Sequence, residues 1–506
     1  MAGLASEPLV CERFHSRHDL HWLLEFLPSP LCLACAIETL KEDRVSLIRK
    51  KHVVSCLRDV LTQHATKVIP LFVQNERICA YFIATLFGIL QIVEDSSILD
   101  LLIEDKLNSL VLTTLKNAQT MELQLNSVGL LKQLLKYDNF VLVIMSFTGK
   151  GANSASPELF EGDSLLPLIL KKLLLSRDEI LQIASTQCLA AVLVHSPTKY
   201  APAFIYADIP EFLFECLFCM SESLIWSVYC CLLLLTEEQL FFSKCHTVYG
   251  IEPLVKSLKE TLHLNNIELQ KQGLLLFTEI LKKQPEEIKL FTNIATFKDA
   301  VSVLMEAVKC PVIEVASEAV KAVTAILRKD HVSFPPIQYG QLQKLIETIL
   351  MRCNDLPLAP FNKRLMDHQG GRCKNRAISQ QAQFLQSALE SFRNACSLAV
   401  QYQKDPLAQK NTFTAPNSDN IDILKRFSEF LLRISDSLCI PMVMKYSERA
   451  VRPGIMEVFI STLSILFNVM PDMHKRLSIK MASSSFIQLN LELKAKFCTG
   501  QRARNI

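Results

Sequence analysis

The 506-residue chain carries a formal net charge of only +3, with 50% hydrophobic and 21% charged residues, a globular composition that excludes a largely disordered protein. So small a net charge supplies no global field to drive the chain onto nucleic acid or an anionic membrane. Thirteen glycines and abundant leucine favour long helices over turn-rich β architectures, and 17 cysteines without a short disulfide framework indicate a reducing compartment.

Residues 1–30 read as an N-terminal helical segment. Met1 to His21 contains Glu7, Glu12, Arg13 and Arg17 and has no apolar h-region, so no secretory signal is expected. His15, His18 and His21, with Cys11 nearby, fall at helical spacing as a metal candidate. A solvated helix anchored by Asp19 and Trp22 accounts for them more simply.

From residue 31 to 329 one helix signature recurs: acidic or amide residues, then a small residue, then apolar residues at helical spacing ending in a Leu-rich turn. The small residues are Ala80, Ser127, Ala184, Ser227, Gly273 and Ala319, at intervals of 47, 57, 43, 46 and 46. The long interval contains the Gly- and Ser-rich stretch 149–162, an inserted loop. A fainter copy around Cys35 begins the array, and Arg49, Lys50 and Lys51 read as a solvated helix face. Each signature helix follows another apolar-periodic helix, such as Ser164 to Leu175 or Ile251 to Leu262, so one unit is an antiparallel pair. Helices pack at about 8–10 Å, which explains the small residue at the contact. The predicted fold class is all-α, an armadillo/HEAT-like α-solenoid in which stacked pairs share a continuous core.

The most apolar stretch, Leu213 to Leu235, is interrupted by Glu215 and Glu222 and leaves too short a clean run to span a bilayer. Within it, Cys216 and Cys219, with Cys230, Cys231, Cys245 and His246 downstream, have paired-cysteine spacing. Large apolar residues stand between them where a zinc site needs polar turns, so they read as small buried hydrophobes, as do Cys32 and Cys35.

Residues 330–506 read as an irregular helical continuation, with a breaker at His331 to Gly340 and loops near 354–377 and 404–420. The first loop carries Lys363, Arg364, Arg372, Lys374 and Arg376 against Asp367, a candidate for nuclear import or phosphate contact, with a solvated loop as the simpler reading. No G-x-S-x-G elbow, H-E-x-x-H pair or Walker loop occurs, and Thr148 to Gly151 lacks phosphate-loop spacing. No catalytic residue, metal or cofactor is therefore expected.

The strings LQIASTQCLAAVLVHSPTKYAPAFIYADIPEFLFE (Leu181 to Glu215) and TEEQLFFSKCHTVYGIEPLVKSL (Thr236 to Leu258) resemble the meiosis inhibitor protein 1 family. KQPEEIKLFT from Lys283, FTAPNS from Phe413, CIPMVMKY from Cys439 and SSSFIQLNLELKAKFC from Ser483 resemble it too, so the likeness is read from about Leu165 onward. The resemblance implies an all-helical armadillo-like protein needed for programmed meiotic DNA double-strand breaks and thereby for homologous synapsis. It also implies a nuclear location and protein partners among the break-forming factors. Family members extend far beyond this chain, so a shortened product or alternative C-terminus is expected. The competing readings are a general cytosolic solenoid adaptor and, third, an enzyme with a site assembled from distant residues. No membrane, small-molecule or sequence-specific nucleic-acid partner is expected.

Overall fold

The computed structural model describes residues 107–146, 164–246, 250–291, 293–328, 337–354, 371–403 and 419–439, with single positions beyond them. Every regular element among these residues is helical. The chain packs as two compact units, Met1–Cys245 and His246–Ile506. The loss of regular spacing near residue 330 falls inside the second.

In the first unit the helices are α1 (Leu107–Asn117), α2 (Met121–Leu134), α3 (Asp138–Met145), α4 (Leu165–Leu174), α5 (Glu179–His195), α6 (Pro197–Tyr206), α7 (Ile209–Cys216) and α8 (Glu222–Leu235). They form two rows: α2, α5 and α8 stack side by side, and α1, α4 and α7 stack behind them. The expected antiparallel pairs are thus α1/α2, α4/α5 and α7/α8. Each pair is joined to the next by a short third element that the pair reading did not contain: α3, α6 and a π-helical turn, Phe241–His246. Extended backbone at Ser196, followed by Pro197 at the first helical position, ends α5 and starts α6. Phe241 stacks on Phe214 at 6.3 Å, sealing the π-helical turn onto α7.

The polar residue that opens the signature has a definite local role in three copies. Asp178, Ser221 and Asn266 cap α5, α8 and the second unit's α10, each side-chain oxygen accepting the backbone N–H three residues on. In α2, α5 and α10 the fourth residue after the cap position is Gln, and its amide reaches back to carbonyls at the end of the preceding helix. Gln124 donates to Ala118, Gln182 to Leu174 and Ser176, and Gln270 to Leu262 and Leu264. One side chain thereby satisfies orphan carbonyls and fixes the turn between the helices of a pair.

The second unit continues with α9 (Glu252–Leu262), α10 (Ile267–Lys283), α11 (Ile294–Lys309), α12 (Ile313–Ile326), α13 (Ile337–Asn354), α14 (Gly371–Gln403) and α15 (Asp419–Ile434). Here α10, α12 and α14 make one row and α9, α11 and α13 the other. The register therefore persists past residue 330. Ser391 of α14 donates to the Val320 carbonyl of α12 at 3.2 Å, and Asn394 to that of Thr324 at 3.0 Å, an offset of about 70 residues where the sequence template expects about 46. Residues 371–377, expected as loop, are the first turns of α14. Gly370 and Gly371 are the last breakers there, and Arg, Lys, Ala and Gln that follow are good helix formers. The expected loop 149–162 and residues 1–30 lie outside the described residues, as do 355–370 and 404–418 of the other two loops.

Within a row, successive helices are latched end to end. The last side chain of α5, His195, places Nε2 2.6 Å from the Leu135 carbonyl beyond α2 and pairs through Nδ1 with Asp138. Arg328 beyond α12 donates to the Leu281 and Lys282 carbonyls ending α10, at 3.1 and 3.2 Å. The rear rows do the same: Lys172 of α4 donates to Lys116 of α1, and Arg352 of α13 to Cys310 after α11. A basic group at a helix C-terminus meets unpaired carbonyls and the negative dipole end together. Replacing Arg328 by Ala should cost about 1.5 kcal/mol, the net value of a charged hydrogen bond. Urea unfolding checks this, and a midpoint unchanged from the parent would contradict the latch.

Candidate protein-interaction surface

The predicted small residues sit mostly inside the stack. Ser127 and Ala319 are fully buried, Ser227 nearly so, and Gly273 is buried on α10. Ala184 is only half-buried; its neighbour Ser185 is the fully buried residue and donates to the Leu170 carbonyl of α4 at 2.9 Å. Ala80 lies outside the described residues.

Cysteines mark close approaches between successive helices of one row. Cys188 Sγ faces the Val128 carbonyl of α2, and Cys231 Sγ lies 3.1 Å from the Thr186 carbonyl of α5. A thiol is small enough for that gap and donates weakly. Burial pushes the Cys188 thiol up to about 12 and holds Cys231 higher still. Cys216 and Cys230, half-buried, are pushed up to about 11 by burial, with Cys219 and Glu215 adding at Cys216. These are not the depressed values of a nucleophilic thiol or an activated ligand. Among the described residues no three His, Cys, Asp or Glu side chains are grouped to hold a metal, and no helix is long and apolar enough to cross a membrane. The Cys11, His15, His18 and His21 cluster, Cys32 and Cys35 lie outside the described residues.

Because α2, α5 and α8 are flanked by one another and backed by α1, α4 and α7, one side of each remains open. On α5 and α8 that side is largely apolar: Ile180, Val194 and Trp226 are 60, 68 and 45% exposed. In the second unit the open side is polar. Glu314, Ser317, Glu318 and Lys321 share one face of α12; Gln380, Gln383, Gln386 and Glu390 share one face of α14; between them, with Lys271 of α10, they line a groove of about 350 Å³. Gln380 Nε2 donates to Glu314 Oε1 at 2.7 Å, Lys321 to Glu318 Oε1 at 2.7 Å and Gln386 to Glu390 Oε1 at 3.2 Å.

Taken locally, these polar residues form ordinary solvated helix faces, and the groove exists only because α12 and α14 lie side by side. The available signal was glutamine at intervals of three, Gln380, Gln383 and Gln386, on a helix with alanine, leucine and phenylalanine on its other sides. Of the basic tract, Arg372, Lys374 and Arg376 lie on the first turns of α14, while Lys363 and Arg364 lie outside the described residues.

A row of stacked helices open on one side offers a long, rigid contact surface to another protein. Comparison with known proteins adds the lineage. The family described as meiosis inhibitor protein 1 N-terminal domain matches residues 31–105 and 99–506. The human meiosis inhibitor protein 1 is 46% identical over 97% of this chain and 47% of its own length. The mouse protein is 45% identical with the same coverage. The likeness therefore reaches well before Leu165, and the chain spans about half the length of these relatives. Among solved structures, an engineered protein aligns over 92% of this chain and 93% of its own at 15% identity and TM-score 0.57. A structure from work on a phosphorylation switch between cadherin and β-catenin covers 92% and 86% at 12% identity and TM-score 0.54. At these identities the likeness is one of fold, an all-α armadillo/HEAT-like solenoid.

Proposed function

Because the chain belongs to the meiosis inhibitor protein 1 family, we propose that it serves meiosis as a non-catalytic scaffold supporting programmed DNA double-strand breaks and, through them, homologous synapsis. The observation that carries this reading is the family match across nearly the whole chain, joined to stacked helices with open faces. Cutting DNA needs metal-holding carboxylates or an activated nucleophile at the phosphate. Tracking DNA needs a basic stripe repeated along the units, whereas the second unit's open groove sets two lysines, Lys271 and Lys321, among three glutamates, Glu314, Glu318 and Glu390. The contribution proposed is architectural: partner segments dock on the open faces, with affinity concentrated in a few buried anchors.

The test is affinity purification of the chain from meiotic prophase nuclei. Recovery of break-forming proteins supports the proposal; recovery of cytosolic transport proteins alone favours a general adaptor. Purified chain should also leave supercoiled plasmid intact, and metal-dependent nicking that survives repurification would overturn the non-catalytic reading. The proposed site of action is the nucleus. Replacing Lys363, Arg364, Arg372, Lys374 and Arg376 by Ala is expected to lower nuclear accumulation without lowering the melting temperature. A variant as nuclear as its parent would assign import to another segment or to a partner.

A further inference from the structure

We infer that Cys216 and Cys219 form a reversible dithiol/disulfide pair, a modification site in the turn joining α7 to α8 that closes by exchange with a small-molecule disulfide such as glutathione disulfide. The inference stands apart from the scaffold reading above. Both positions read in sequence as small buried hydrophobes, yet both thiols are free and only half-buried, beside Phe218 and Met220, which are 59 and 99% exposed. Past Cys216, the last residue of α7, the chain tightens. The N–H groups of Leu217, Phe218 and Cys219 donate in succession to the Phe214, Glu215 and Cys216 carbonyls, each three residues back, at 3.3, 3.2 and 3.2 Å. That is 3₁₀ winding, in which residues three apart eclipse and are separated by a rise of about 6 Å. A disulfide accepts Cα atoms roughly 4.4–6.8 Å apart. The backbone bond from Cys219 to Cys216 therefore holds the two residues at bridging separation.

Closure is a thiol/disulfide exchange. One thiol loses its proton and attacks a sulfur of glutathione disulfide; that S–S bond breaks, and one glutathione leaves as thiolate and takes up a proton. The second thiol, deprotonated in turn, attacks the mixed disulfide and expels the other glutathione. Two protein thiols become one disulfide, two electrons pass to the oxidant, and two glutathione thiols result. The surroundings slow this reaction and then protect its product. Burial, with Cys219 and Glu215 adding, pushes the Cys216 thiol up to about 11, and burial, with Glu179 of α5 adding, raises Cys219 as well. Because the thiolate is the attacking species, closure is slow at neutral pH and quickens about tenfold per pH unit below the thiol's value. The same surroundings make both sulfurs poor leaving groups, so the disulfide once formed resists reduction. Closure also draws Cys219 Sγ from the carbonyl of Ser221, 3.7 Å away, the residue whose hydroxyl caps α8. Oxidation is thereby felt at the start of that helix.

The test uses the whole purified chain, reduced, freed of reductant and held in buffers of glutathione and glutathione disulfide, then trapped with iodoacetamide and cut after glutamate. Cleavage at Glu215 and Glu222 isolates residues 216–222, which contain these two cysteines and no other. The expected product is that peptide unalkylated and lighter by two hydrogens, becoming doubly alkylated when reductant is restored before trapping. Its formation should speed up as pH rises. The folded chain should hold the disulfide at least about tenfold more strongly than the chain in urea, where the turn is lost. Cys216→Ser and Cys219→Ser should each stop at a mixed disulfide with one glutathione, with melting unchanged, and Cys230→Ser should close as the parent does. Full alkylation of both thiols in the parent, mixed disulfides in place of closure, or no gain from folding would overturn the assignment.

Discussion

Replacing Phe297 by Ala is expected to destabilise the second unit by about 3–5 kcal/mol, the range for removing a fully buried aromatic side chain. Phe297 is completely buried in α11, and its ring meets Phe291 edge-on at 5.1 Å between centroids. Phe291 is itself 1% exposed and belongs to the segment joining α10 to α11. The substitution therefore opens a cavity at the junction of two repeats and forfeits an aromatic pair worth about 0.5–1.5 kcal/mol beyond its buried area. The cavity cannot readily collapse, because α11 is packed against α9, α12 and α13 at once. Urea denaturation should show a large fall in midpoint for Phe297→Ala and a smaller one for Phe297→Leu. Leu168→Ala, at a side chain 51% exposed on α4, is the control and should stay within about 0.5 kcal/mol of the parent. A parent-like midpoint for Phe297→Ala would contradict the placement of α11.

The opposite error, too much volume, should appear at Ala319. This residue is completely buried on α12, which is packed between α10 and α14 with α11 behind. Ala316, Ala322 and Ala325 are buried on the same helix, so close approach is built from methyl groups along its length. Three extra carbons at Ala319→Leu have to push one helix away or take a strained rotamer, at about 1–3 kcal/mol. Gly273→Leu on α10 should behave alike and lose solubility with stability. Unchanged melting in both variants would count against the repeat register.

The register itself was legible because its physical causes lie close together in sequence. Capping residues Asp178, Ser221 and Asn266 precede three of the apolar runs, and small residues follow at intervals of 43 to 47 wherever the stretch 149–162 does not intervene. Ala184 and Ser185 show the limit of that ruler. Both are small, so the pattern does not say which faces the core; the hydrogen bond from Ser185 to Leu170 does. The short third elements were not legible, since α3 and α6 are 8 and 10 residues long and their apolar content merges with the neighbouring helices. The membership of α14 in the row was hidden for another reason. An expanded connection displaces it by some 25 residues, and only contacts such as Ser391 to Val320 restore the alignment.

The latches and the groove depend on neighbours about 40–70 residues apart, so no local pattern announces them. His195 and Arg328 each look like an ordinary basic helix terminus until the carbonyls of Leu135 and Leu281 are seen beside them. Glu318 looks like one half of a surface i,i+3 pair with Lys321 until its second oxygen is seen to be buried. The resemblance to a meiotic family lies in particular strings such as Leu181 to Glu215 and not in periodicity, which specifies a stacked helical fold and is silent on its use.

The most direct measurement is a count of double-strand-break foci in meiotic prophase cells depleted of this chain, scored together with homologous synapsis. The scaffold account predicts few foci and failed synapsis, restored by the parent chain. Normal foci and complete synapsis in depleted cells would contradict it.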